Sequence, residues 1–241
     1  MIKRALLTIL CATSTALAAE NIGKQPELPA MQETSPGVFE LGKMRIDKNT
    51  STVSFPARIN MAQGFLEYLL VTPKGSTHEA LLVSEVQPTD LHLAMLLLGA
   101  KGAGLTTPAP GDAPGGPIDA EYLKRAPKMK GDSVILRAKW TKDGKEVVTP
   151  VEDWILNSDT KKPGERGPWI YTGSMFSNEH FMAQLEGLFA SIVISPSALI
   201  NNPRKGSDND QIWTVNEKAV PPVETPLELS IRLEPTTTAT K

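Results

Sequence analysis

The sequence predicts an α+β fold, a single domain dominated by mostly antiparallel sheet with a few short helices, and three observations carry that expectation. Leu227, Leu229, Ile231 and Leu233 alternate with Glu228, Ser230, Arg232 and Glu234, the period-two pattern of a strand with one wet face. Val134, Leu136, Ala138 and Trp140 alternate with Ile135, Arg137 and Lys139 and run into Asp143-Gly144. That dipeptide suits a two-residue hairpin turn, after which Glu146–Thr149 pairs back. Pro88-Thr89-Asp90 opens an apolar stretch, Leu91–Leu98, that Gly99 closes; proline and acid at the start and glycine past the end mark a helix, one buried on most sides.

From the N-terminus, Lys3 and Arg4 precede an apolar run from Ala5 to Ala12, and Ala16-Leu17-Ala18 supplies the small-residue pattern of a cleavage site. Residues 1–18 therefore read as a secretory signal peptide, with the mature chain starting at Ala19. The run falls short of the roughly twenty apolar residues a spanning helix needs, so the expectation is an exported protein, periplasmic or extracellular, with no permanent membrane span. Leu10 stands where lipid attachment at Cys11 wants a small residue, which argues against a lipoprotein. Cys11 is the only cysteine. Losing it with the signal leaves no disulfide, no thiolate ligand, no iron–sulfur cluster and no cysteine nucleophile. The mature chain keeps 23 basic against 27 acidic residues, a net charge near −4, and has no basic run, which argues against nucleic acid as a partner.

Asn21–Pro36 is polar and punctuated by proline, so residues 19–37 read as a flexible lead to a single domain at 38–234, with 235–241 as a disordered tail. Within the domain, Val38–Ile46 reads as a first strand, Asp47-Lys48-Asn49-Thr50 as a turn and Thr52–Ile59 as a second strand. Phe65–Thr72 is nearly all apolar and calls for cover on both faces. Pro73–Ser76 turns the chain and His78–Val86 returns as its partner. Residues 100–118, rich in Gly, Pro, Ala and Thr, read as a mobile loop, and Asp119–Ala126 as a short helix. Pro150–Leu156 reads as one or two helical turns, Trp169–Met175 and Gly187–Ile194 as strands, and Pro196–Ile200 as a short helix.

Met44–Pro56 (MRIDKNTSTVSFP), Leu66–Leu82 (LEYLLVTPKGSTHEALL), His92–Lys101 (HLAMLLLGAK), Gly167–Thr172 (GPWIYT) and Ala198–Pro203 (ALINNP) together resemble the YdjY-domain family of exported bacterial proteins. The resemblance covers most of Leu41–Glu234 and is most specific around Thr77-His78-Glu79. It implies an exported envelope protein and lends no activity. Some relatives carry cysteines that prompt an iron–sulfur suggestion, which does not transfer to a cysteine-free mature chain.

His78-Glu79 with His92 is the constellation that suggests chemistry, because imidazole and carboxylate suit a divalent metal and three protein ligands plus water make a catalytic site. In a regular strand, however, His78 and Glu79 face opposite sides, and the segment lacks helical H-E-x-x-H spacing because Leu82 follows four residues after His78. A hydrogen-bonded core histidine is the competing role for His92. Glu179-His180 reads as a solvent-facing pair, and Asp208-Asn209-Asp210 as an Asx turn before a calcium loop. Gly99–Thr106 has phosphate-loop spacing but places Leu105 where lysine belongs. Flat rings anchor interfaces and stack on sugars; Trp140 and Trp169 lie on strand faces, whereas Trp154 and Trp213 lie beside loops and are the ligand-binding candidates. The expected function is a non-catalytic binding module for an envelope protein, peptide or glycan, with no cofactor. The alternative is a metal-dependent, hydrolase-like enzyme using His78, Glu79 and His92.

Overall fold

Alternating burial organises the first elements of the chain. The computed structural model describes residues 30–102 and 129–235; the expected signal peptide, the expected helix Asp119–Ala126, all but the first residues of the loop 100–118 and the end of the tail lie outside the described residues. Strands β1 (Met31–Ser35), β2 (Val38–Leu41), β3 (Met44–Asp47) and β4 (Thr52–Ile59) form an antiparallel meander. The sequence reads Val38–Ile46 as one strand, but Gly42 at φ +58° folds it into a hairpin. The fully exposed edge strand β1 lies inside the segment expected as an unfolded lead. Asp47 Oδ1 accepts the N–H groups of Asn49 and Thr50 at 3.0 and 3.3 Å and so makes the turn into β4.

Strand β5 (Tyr68–Val71) leads through a 3₁₀ turn at Thr77–Glu79 to β6 (Ala80–Val83). The two run parallel, Tyr68 opposite Ala80 and Val71 opposite Val83, whereas a returning partner would be antiparallel. The 3₁₀ turn carries the chain back beside the start of β5 before β6 begins. Helix α1 (Pro88–Leu97) follows with Pro88 in its first turn, as its termini predict. It buries Leu91, Ala94 and Met95 and leaves Leu96 48% exposed, so it is amphipathic in place and not buried all round.

Strands β7 (Asp132–Lys142) and β8 (Lys145–Pro150) form the expected hairpin, with Asp143 and Gly144 at φ +50° and +74°. A 3₁₀ turn at Val151–Trp154 precedes β9 (Ile155–Asn157) and β10 (Lys162–Pro163). Then come β11 (Trp169–Tyr171), β12 (Phe176–Ser177), β13 (His180–Phe181), helix α2 (Met182–Glu186) and β14 (Leu188–Ser191). The last strands are β15 (Ile200–Asn201), β16 (Trp213–Val215) and β17 (Pro226–Leu233).

The sheet order β4-β17-β7-β11-β15-β14-β5-β6 closes on itself, because β6 pairs antiparallel with β4 at Arg58–Val83 and Ile59–Leu82. The result is an eight-stranded barrel, the size at which side chains alone fill the interior. Val53, Phe55 and Ile59 of β4, Leu136 and Ala138 of β7, and Leu229 and Ile231 of β17 supply the filling. Phe55 and Phe189, from strands that are not neighbours, meet with ring centroids 6.3 Å apart. Each such side chain contributes about 2 kcal/mol relative to exposure. Behind β5, β6 and β14 a second small cluster, Val71, Ala80, Val83, Leu188 and Ala198, covers the opposite face, as continuous apolar strands require. Strands β4 and β7 are long enough to branch: β4 gives one edge first to β3 and then to β6, and β7 divides an edge between β11 and β8.

The α+β expectation is overturned. Of the described residues, 42% are in strands and 12% are helical, with only two α-helices among them. A sheet that closes buries its own apolar face and needs no helical layer. Two segments read as helices also fall short, Pro150–Leu156 making only the 3₁₀ turn and Pro196–Ile200 only a turn into β15.

Candidate functional site

Most polar groups near the barrel end at β11 are satisfied by local partners. Asn201 Nδ2 donates to Thr172 Oγ1 at 3.0 Å, and its Oδ1 accepts the Ser195 N–H at 2.8 Å. Ser174 Oγ donates to the Ser197 carbonyl at 2.7 Å and accepts the Ala183 N–H at 3.0 Å. These bonds fix the chain where it leaves β11, and the segment they fix, residues 173–181, behaves differently.

Ser174, Asn178 and Glu179 all sit at positive φ, +64°, +47° and +67°. Asn tolerates this region; Ser and Glu adopt it at a cost. Asn178-Glu179 is the two-residue turn joining β12 to β13, and it sets Phe176 opposite Phe181 with ring centroids 5.2 Å apart. Phe181 in turn lies 4.9 Å from the His92 ring. The rings are not sealed in: Phe176 is 68% exposed. Leu185, one helical turn beyond Phe181, is 62% exposed, and Leu96, one turn beyond His92, is 48% exposed. The sequence gives no period-two or helical signal for Phe176, so the patch has only the bare fact of an apolar residue in a polar loop as its trace.

His92 holds the floor of this patch. Its Nδ1 lies 2.7 Å from the Tyr171 hydroxyl. Burial pushes the Tyr171 phenol well above its ordinary range, with the Asp132 carboxylate adding to the effect, so the phenol stays protonated. Burial also lowers His92 from its ordinary 6.5, which favours the neutral ring. The Tyr171 hydroxyl and His92 Nδ1 therefore share a hydrogen bond between two neutral groups, its direction set by the imidazole tautomer. The arrangement holds an oriented, uncharged imidazole among aromatic rings.

The three expected metal ligands do not converge. His78 stands in the 3₁₀ turn with its side chain 76% exposed, its Nε2 3.6 Å from Glu79 Oε2. His92 is committed to Tyr171 on α1. Among the described residues no group of three or more His, Cys, Asp or Glu side chains is placed to hold a metal. Glu79 instead adds to a carboxylate neighbourhood with Glu67 and Asp210, in which burial, and then the charges of Glu79 and Asp210, raise the Glu67 pKa.

The two tryptophans expected on the surface are buried, Trp154 at 1% and Trp213 at 3% exposure. Trp154 meets Trp140 edge to face at 6.3 Å, and Trp213 Nε1 donates to the Gly206 carbonyl at 2.8 Å. Their loops fold over them. Asn209 makes the Asx turn, its Oδ1 accepting the Gln211 N–H at 2.9 Å, and Glu179 and His180 are exposed.

Gly167, Trp169 and Asn202 of the quoted motifs join Arg204 and Glu152, which the sequence does not single out, in a buried clamp. Arg204 Nη2 lies 2.9 Å from Glu152 Oε1 and also donates to the Gly167 carbonyl, while Nη1 donates to Asn202 Oδ1 at 3.0 Å. Trp169 Nε1 donates to the same Glu152 oxygen at 2.9 Å, and the guanidinium lies 5.1 Å from the Trp169 ring. Segments distant in sequence thus meet at two clusters, one sealed around Arg204 and one open around His92. The profile of the YdjY domain matches residues 44–232. The chain belongs to the YdjY-domain family. Its barrel, β4 to β17, falls almost wholly within the matched span, so both clusters are parts of the YdjY domain. Neither a curated protein nor a solved structure matches the chain.

Proposed function

We propose that this YdjY protein is an exported, non-catalytic binding module of the bacterial envelope, and that it engages an apolar segment of a partner protein through Phe176, Phe181, Leu185 and Leu96 above His92. The observation that carries the reading is Phe176, 68% exposed on a hairpin whose turn holds two non-glycine residues at positive φ. Exposed aromatic surface on a hairpin marks a region kept for contact, because folding alone does not reward leaving a large ring in solvent. The exposed rings carry no hydroxyl or indole N–H, so the patch lacks the polar handles that read sugar hydroxyls and suits apolar side chains. The N-terminal signal pattern supports the location. The neutral, tyrosine-bound His92 supports a platform over an acid–base catalyst.

The test is site-specific photo-crosslinking in the native host, with benzoylphenylalanine at Phe176 and, as a control, at Val148, another exposed apolar residue, on β8 (54% exposed). The expected result is one defined adduct from position 176, absent from position 148 and lost when Leu185→Ser is added. Adducts that are the same from both positions overturn the reading.

A further inference from the structure

Leu185 stands on α2, a helix of five residues, too short to hold its place by its own hydrogen bonds. Side chains and backbone of other segments hold it instead. The Met182 N–H donates to the Met175 carbonyl at 3.0 Å. Ala183 is buried, and its N–H donates to Ser174 Oγ at 3.0 Å, while that hydroxyl donates onward to the Ser197 carbonyl at 2.7 Å. Gln184 Oε1 accepts both the N–H and the hydroxyl of Thr89, at 3.1 and 2.9 Å, and its Nε2 donates to Gln87 Oε1 at 2.8 Å. Glu186 Oε1 accepts the Ser197 hydroxyl at 3.0 Å. Leu185, between these anchored neighbours, is 62% exposed.

Two of these anchors do different work. The Ser174 hydroxyl closes residues 174–183 into a ring that carries Phe176 and Phe181; glycine would suit its φ of +64° better, so serine serves there through its hydroxyl. Thr89 lies in the first turn of α1, where backbone N–H groups have no partner within the helix, and Gln87 at the N-cap puts no side chain on them. Gln184 supplies that cap from α2 and so joins the helix bearing Leu185 to the helix bearing His92 and Leu96. We propose that Ser174 and Gln184 are the positioning residues of the aromatic patch: Ser174 holds the β12–β13 hairpin and α2 as one unit, and Gln184 sets that unit against α1. Phe176, Phe181, Leu185 and Leu96 then stand at one fixed spacing. The proposal rests on the patch being a docking surface and adds the side chains that set its shape.

The test joins amide hydrogen exchange on the purified protein to photo-crosslinking from position 176 in the host. Ser174→Gly and Ser174→Ala both remove the hydroxyl, and only glycine is at ease at positive φ, so a change common to both belongs to the hydroxyl. Gln184→Leu removes the cap from an exposed position, whereas Gln184→Glu keeps an oxygen for Thr89. Ile231→Val, in the barrel core, lowers stability without touching the patch. Exchange should quicken about tenfold, the scale of one lost hydrogen bond, at Ala183 in both Ser174 variants and at Thr89 in Gln184→Leu. The adduct should fall with the fraction of chains that hold the patch in place, by about fivefold in those three variants, and persist in Gln184→Glu and Ile231→Val. Unchanged exchange at Ala183 and Thr89, an undiminished adduct, or an equal loss of adduct in Ile231→Val overturns the proposal. An unaltered chain that gives no adduct overturns the reading of the patch as a docking surface, and the exchange rates still decide whether these two side chains hold it.

Discussion

The Arg204 cluster and the His92 cluster each join an aromatic ring to a titratable group, and they differ in what is left unmet. Around Arg204 every strong group has a partner: Glu152 holds the guanidinium and the Trp169 indole, and the Asn202 side chain and the Gly167 and Glu165 carbonyls take the remaining donors. Around His92 the polar pair is met within, by Tyr171, while the apolar surface beside it faces solvent at Phe176 and Leu185. A closed cluster stabilises the fold; an open one on a strained loop leaves surface for something else. Polar satisfaction and apolar exposure are separate tests, and only the second tells the clusters apart.

The largest expected effect lies in the closed cluster. Glu152→Ala leaves Arg204 buried without its counter-charge and should cost about 3–5 kcal/mol, read as a large fall in the melting temperature by calorimetry; a fall of a degree or two would mean that the clamp is not the anchor of its loops. At the junction, Tyr171→Phe removes the hydrogen bond to His92 and should cost about 1–2 kcal/mol in urea unfolding, with the circular dichroism of the folded state unchanged.

A smaller effect separates the two clusters by pH. Burial lowers the His92 pKa from 6.5 in the folded chain, so the unfolded chain takes up the proton more readily. The stability this residue supports is complete above pH 6.5 and is lost as pH falls from there through the lower folded pKa. Urea midpoints between pH 5 and 7.5 should therefore slope in the unaltered chain and flatten in that window in His92→Gln; equal slopes would place the neutral imidazole elsewhere. The smallest effect belongs to the open cluster: Phe176→Ser should change stability by no more than about 0.5 kcal/mol, since the ring is largely in solvent.

Where a strand is long and one face is wet, alternation reveals it, as at β4, the β7–β8 hairpin and β17. The helix α1 is legible from Pro88 and Gly99. Closure of the barrel is not, because β5, β6 and β14 are apolar on both faces, and without alternation neither register nor direction is specified. The parallel pairing of β5 with β6 and the bond between β6 and β4 turn a presumed α+β sheet into a barrel. Trp154 and Trp213 misled for a related reason: a position beside a loop says nothing about which way the loop folds, and here Gly206 brings its carbonyl over the Trp213 indole. His92 was legible as a hydrogen-bonded histidine of the helix, but its partner Tyr171 is 79 residues away and no spacing rule joins them.

The central claim is that Phe176 and Leu185 are kept for contact and not for folding. The most direct test measures thermal stability and position-176-region crosslinking together in the Phe176→Ser and Leu185→Ser double variant, with the photoreactive residue moved to Phe181. The account predicts a melting temperature within about two degrees of the unaltered chain, as expected for surface changes of this kind, and loss of the partner adduct. A marked fall in melting temperature, or an adduct that persists undiminished, would contradict it.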